Sequence, residues 1–194
     1  MKAPCILLTA VTIAVVAGVR PATPAQAGSA DILRGELTKA VGALEDSTGG
    51  KALEIRFVDE VRHDHFESVV AKPDEVIYVA VNPVNEDVTK IAIKELPAWM
   101  LNWKLTQYVR SIEKANVPLT KAVADAESLA QAPAIGAGLA EPLTGTNQVL
   151  AYNIELLLAD GNRKRVAIDA TSGARIANPE EFYEPWTPVK LLRK

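Results

Sequence analysis

Both histidines of the chain fall in one short stretch, Arg62-His63-Asp64-His65-Phe66-Glu67. In an extended segment alternate side chains share a face, so Asp59, His63, His65 and Glu67 would project together. Two imidazoles beside carboxylates are the beginning of a zinc or copper site, because imidazole nitrogen suits both ions. A harder ion such as Ca2+ would draw instead on oxygens of Asp59, Glu60, Asp64 and Glu67, although no EF-hand loop is present. The competing reading is an exposed polar hairpin at His63-Asp64, in which the two rings diverge. The cofactor expectation is therefore none, with a divalent or trivalent metal ion on His63, His65, Glu67 and Asp59 as the alternative.

Other reactive patterns fall away on spacing. Ser47-Thr48-Gly49-Gly50-Lys51 has the Gly-Lys of a phosphate loop, but Glu45 stands where that loop needs its first glycine, and the segment follows a helical pattern rather than preceding one. No Gly-x-Ser-x-Gly elbow or His-Glu-x-x-His motif occurs. Carboxylates are plentiful, yet none forms a pair whose environments differ visibly in sequence, which an acid/base assignment requires. These absences point to a protein that is not an enzyme.

A different kind of candidate lies in Leu96 to Asn116. Leu101, Leu105, Tyr108, Val109 and Ile112 fit one face of a helix that Pro97 can start and Asn116 with Pro118 can end, which puts Trp99 and Trp103 on the other side. A strand reading competes, since Trp99, Leu101, Trp103 and Leu105 alternate with polar residues. The longer apolar spacing favours the helix. Two indoles outside the main stripe either glue neighbouring elements together or form a partner-binding patch.

The elements that must position these residues follow an N-terminal address. Lys2, the apolar run Ile6 to Val19 and Ala25-Gln26-Ala27 read as a signal peptide covering 1–27, cleaved after Ala27. As an uncleaved anchor the run would reach only about 21 Å of a roughly 30 Å hydrocarbon core. Cys5 leaves with it, so the mature chain has no thiol. Removing Lys2 and Arg20 takes 21 basic residues to 19 against 24 acidic, a mature charge of −5. That balance, with no basic cluster longer than Arg163-Lys164-Arg165, excludes nucleic acid as a partner. No other apolar stretch suits a membrane span, so stable membrane insertion after cleavage is not expected. Periplasmic or secreted localisation is.

Of the 194 residues, 48% are hydrophobic and only 5% aromatic, so the core must be aliphatic. Asp31 to Ser47 reads as a helix, with Asp31 or Ser29 as its cap and Gly49-Gly50 as its stop. Strands are expected at 52–61, 65–71, 75–82 and 88–95, with Val76 to Val81 as a central strand covered on both faces. A second helix begins at Pro118, carries Leu119, Ala122, Val123, Ala126, Leu129 and Ala130 as its stripe, and ends by Pro133. Segment 148–159, the Asp160-Gly161 turn and Arg163 to Ala170 then form a hairpin, followed by a short extension from Ala174 to Ala177. The tail, 179–194, carries Phe182, Tyr183 and Trp186 among prolines and reads as a strap or a docking segment.

The recurrence of helix and antiparallel strands about 87 residues apart suggests duplication. Val117-Pro118-Leu119-Thr120-Lys121-Ala122-Val123, then Tyr152-Asn153-Ile154-Glu155-Leu156, Asp160-Gly161 and Val166-Ala167-Ile168-Asp169-Ala170-Thr171-Ser172-Gly173 resemble the PepSY domain. The resemblance covers roughly 117 to 177. The first half lacks the Asp-Ala-x-x-Gly ending and is similar only as a degenerate copy. The expected fold is α+β: two PepSY-like units at 28–96 and 117–178, each a helix on an antiparallel sheet, joined by a Trp-bearing linker helix at 97–116. The resemblance implies a non-enzymatic binding or regulatory role toward an exported protein or peptide, including restraint of a peptidase. Trp99 and Trp103 are the expected partner-binding residues.

Overall fold

Leu37, Ala40, Val41 and Leu44 recur at helical spacing, and in the computed structural model all four are buried along helix α1 (Glu36–Thr48). The model describes residues 33, 35–58, 64–73, 75–83, 85–97, 103–140 and 149–179; within these, the side chains of 90–97, 103–105, 107 and 108 are not described. Gly35 takes a left-handed φ of 77° immediately before Glu36 and so interrupts the expected helix, while Leu33 ahead of it is helical and buried. Ser29 and Asp31, the expected caps, lie outside the described residues. Gly49 ends the helix at φ 67°, and its N–H donates to the Glu45 carbonyl.

Four antiparallel strands follow: β1 (Lys51–Val58), β2 (His65–Ala71), β3 (Glu75–Val81) and β4 (Val88–Pro97). Helix α2 (Trp103–Ile112) and helix α3 (Leu119–Ala130) lead to β5 (Ala134–Ala140), β6 (Ala151–Leu157), β7 (Arg163–Asp169) and the two-residue β8 (Arg175–Ile176). The hairpin between β6 and β7 turns at Gly161, φ 80°, and Gly173 has φ 77°. Between them Asp169 accepts the backbone N–H groups of Thr171 and Ser172, both at 2.8 Å.

The protein is α+β, but two separate sheets do not form. One eight-stranded sheet runs β4-β3-β2-β1-β5-β6-β7-β8, and β1 pairs with β5 through Glu54↔Gly138, Ile55↔Ala137 and Arg56↔Gly136. The same order, a helix followed by four strands, thus occurs twice and meets at a shared seam. The strand responsible, Ala-Ile-Gly-Ala-Gly-Leu-Ala, has too little β-branched and aromatic character to announce itself. Val76–Val81 is buried on both faces as expected, yet β3 lies second from the edge rather than centrally.

The linker departs further from expectation. Pro97 pairs opposite Glu75 as the last residue of β4, so it closes a strand rather than opening a helix. Proline is tolerated there because β4 is an edge strand and needs no outward donor. On α3, Leu129 is 57% exposed and off the core stripe. Glu127 is buried instead: its Oε1 accepts the Ala134 N–H at 2.8 Å and the Gly35 N–H at 3.3 Å, tying the end of α3 to both β5 and α1.

Candidate binding face

Alternation in the strands sorts the sheet into two unlike faces. Ile55, Phe66, Ala137, Ile154 and Val166 lie on the side of α1 and α3, where the Tyr152 hydroxyl donates to the Val117 carbonyl at the start of α3. The opposite face carries two polar rows across the middle strands. One contains Glu67, Arg56, Gly136, Glu155 and Arg165, and the other Tyr78, Val69, Glu54, Gly138, Asn153 and Ala167.

Glycine at 136 and 138 shapes this face. A Cβ at Gly138 would meet Glu54 Cγ at 3.4 Å, and one at Gly136 would meet Arg56 Cβ at 3.6 Å. Both are ordinary van der Waals distances, so the side chains of β1 lie directly against the backbone of β5.

The polar groups here are withdrawn from water. Glu54 is 6% exposed, Glu67 4% and Asn153 1%. Glu67 is satisfied, with Arg56 Nη2 3.1 Å from its Oε2 and His65 Nε2 3.6 Å from its Oε1. Glu54 keeps one oxygen without a hydrogen bond, and Asn153 lacks a partner at both Oδ1 and Nδ2. Burial pushes the Glu54 carboxyl up to about 8; Arg56 opposes that rise and Glu67 adds to it. At neutral pH Glu54 is mostly protonated and can donate, while Asn153 offers one donor group and one acceptor. Buried polar atoms without partners are costly, and their clustering marks a place where a partner is expected.

On the helix side of the sheet, a cleft of about 260 Å3 is lined by Glu45, Lys51, Ile112, Leu119 and Tyr152 among others. Burial raises the Glu45 carboxyl, whose Oε1 accepts the Ala52 N–H at 3.0 Å, and pushes the Tyr152 hydroxyl up to about 12. Both groups are already engaged in joining elements. Neither Glu54 nor Glu67 lines this cleft.

The expected site residues divide sharply. His65 and Glu67 share the polar face; Asp59 and His63 lie outside the described residues. Among the described residues no group of three candidate ligands occurs. Trp99 lies outside the described residues; Trp103 is the first residue of α2, and its side chain is outside them too. Sequence reasoning missed Glu54 and Asn153, which look like solvent-facing positions of alternating strands. The two glycines of β5 were the available signal.

No family model matches the sequence, and no curated protein matches it. A crystal structure of a "putative lipoprotein" from Clostridium difficile 630 is similar over 72% of this chain and 89% of its own, with 13% identity and a TM-score of 0.45. Among the described residues no helix is long and apolar enough to cross a membrane.

Proposed function

We propose that this is an exported, non-enzymatic binding and regulatory protein of the PepSY type, periplasmic or secreted, whose partner is a polypeptide. The observation that carries this reading is Asn153, a buried amide on the polar sheet face with neither of its polar atoms bonded. A peptide group presents one N–H and one C=O, the complement of that amide, and the protonated Glu54, in the same row across Gly138, adds a further donor. The repeated order of one helix and four antiparallel strands supports the PepSY assignment. Restraint of a peptidase is the form of regulation that assignment implies. Trp99 and Trp103 are proposed to add aromatic surface to the contact.

Native mass spectrometry of the mature chain, isolated from its own cell envelope without chelator, tests the proposal. The expected result is a retained polypeptide that is lost, or held at least tenfold more weakly, in Asn153→Ala with the fold intact. Equal retention by that variant would move the contact elsewhere. A stoichiometric metal adduct in place of a polypeptide would favour the second reading, a metal-ion-binding protein using His63, His65, Glu67 and Asp59, for which the His65–Glu67 contact is the supporting observation.

A further inference from the structure

The cleft on the helix side of the sheet is built by both halves of the chain. Glu45 comes from the last turn of α1 and Lys51 from the start of β1, while Ile112 ends α2, Leu119 begins α3 and Tyr152 lies on β6. We propose that this cleft binds a primary alkylammonium ion, with its head held by Glu45 and Tyr152 and its short chain against Ile112, Val117 and Leu119. The site is separate from the polar sheet face and goes beyond the polypeptide-binding reading.

Three observations select that chemistry. The first is the balance of hydrogen-bonding groups. Glu45 uses Oε1 to accept the Ala52 N–H, and its Oε2 has no hydrogen bond among the described residues. Tyr152, 2% exposed, gives its hydroxyl proton to the Val117 carbonyl at 3.0 Å, so toward the cleft its oxygen is left to accept. Two acceptors are matched by a head group that only donates, and an ammonium carries donors and no acceptor. The side-chain donors of the lining, Lys51 and Asn116, belong to exposed residues. The second is charge. The last turn of α1 is the negative end of the helix and carries no basic residue. Asp46 adds to the negative field at Glu45 and Lys51 opposes it, so the acids outnumber the base there. Burial raises the Glu45 carboxyl, and a cation beside it offsets what desolvation costs the ionised form. The third is size. The cleft measures about 260 Å3, and one water occupies about 30 Å3 of the liquid, so a ligand of about eight non-hydrogen atoms fits. Ala52, Ile112, Val117 and Leu119 give it apolar walls that suit an alkyl chain.

Titration of the isotopically labelled mature protein with n-hexylamine, n-hexanol and hexanoate, followed by backbone amide chemical shifts, separates the head group from the chain. The expected result is saturable shifts at Ala52, Val117 and Tyr152, with the amine bound at least tenfold more tightly than the alcohol and hexanoate weakest of the three. Glu45→Gln should weaken the amine at least tenfold and leave the alcohol little changed. Lys51→Ala removes the opposing charge from an exposed side chain and should tighten the amine, which keeps the test open if Glu45→Gln disturbs the junction of α1 and β1. A capped lysine, Nα-acetyl-lysine methylamide, distinguishes the source: weaker binding than n-hexylamine identifies a free amine, and tighter binding a lysine side chain. Equal binding of amine and alcohol, preference for hexanoate, shifts away from these residues, or an amine affinity that neither variant changes would overturn the site. Asn153 takes no part in these readouts, so their failure leaves the mass-spectrometric test of polypeptide binding standing.

Discussion

Glu54 is the residue at which folding and protonation are most tightly joined. Its folded value of about 8 stands above its ordinary 4.5, so the folded state holds a proton that the unfolded chain releases. That contribution is fully present below about pH 4.5 and is lost as pH rises through about 8. One unit is worth about 1.4 kcal/mol, and for a chain of this size 1 kcal/mol moves Tm by about 2–4 °C. The parent protein should therefore lose several degrees of Tm between pH 5 and pH 8, and Glu54→Gln should remove much of that slope; parallel slopes in a scanning-fluorimetry pH series would refute the assignment. Glu127 makes a second residue-scale prediction. Glu127→Ala strips the acceptor from the buried Ala134 N–H and should cost about 1–3 kcal/mol in urea titration, whereas Glu127→Gln keeps an acceptor and should cost less. Legibility in the sequence followed the range of the interaction. Asp169 and the Asp160-Gly161 turn bond within a few residues and could be read, while Glu54 and Glu127 are set against neighbours far along the chain, Gly138 for the first and Gly35 for the second.

Elements bounded by local stops were the most readable. Gly49-Gly50 announced the end of α1, and the two residues act in different ways. Gly49 supplies a left-handed φ, whereas a Cβ on Gly50 would meet Val70 Cγ1 at 2.5 Å and the Ala71 carbonyl oxygen at 2.7 Å. Gly50→Ala must therefore shift backbone as well as side chain and should destabilise by about 1–3 kcal/mol, read by chemical denaturation. A neutral result would mean that β1 and β2 can separate there at little cost. Strands β1 to β4 were legible because each is rich in Val, Ile or Phe and bounded by turns. Strand β5 was not, since alanine and glycine carry little strand preference and its place is set by pairing with β1 and β6. The start of α2 was misplaced for a related reason: Pro97 permits either a helix start or an edge-strand end, and only pairing with Glu75 decides.

For the molecule as a whole, the shared sheet predicts one unfolding event where two independent units would give two. Ile55 sits in the seam, fully buried and opposite Ala137. Ile55→Ala should cost about 2–5 kcal/mol and lower the protection of β3 and β6 together in hydrogen exchange. Loss confined to the first half would show that the halves are separable. The palindromic strand order also has a consequence for how the chain is made. Every pair of neighbouring strands except β1 and β5 is consecutive in sequence, so each half can assemble as a meander from contacts close along the chain. During synthesis from the N-terminus, four strands are complete before residue 134 emerges. Through that interval β1 presents the backbone groups around Glu54, Ile55 and Arg56 along an open edge, the kind of edge that pairs with other nascent chains. The nascent first half therefore passes through a stage in which its safest neighbour does not yet exist, and the speed with which β5 is delivered sets how long aggregation can compete.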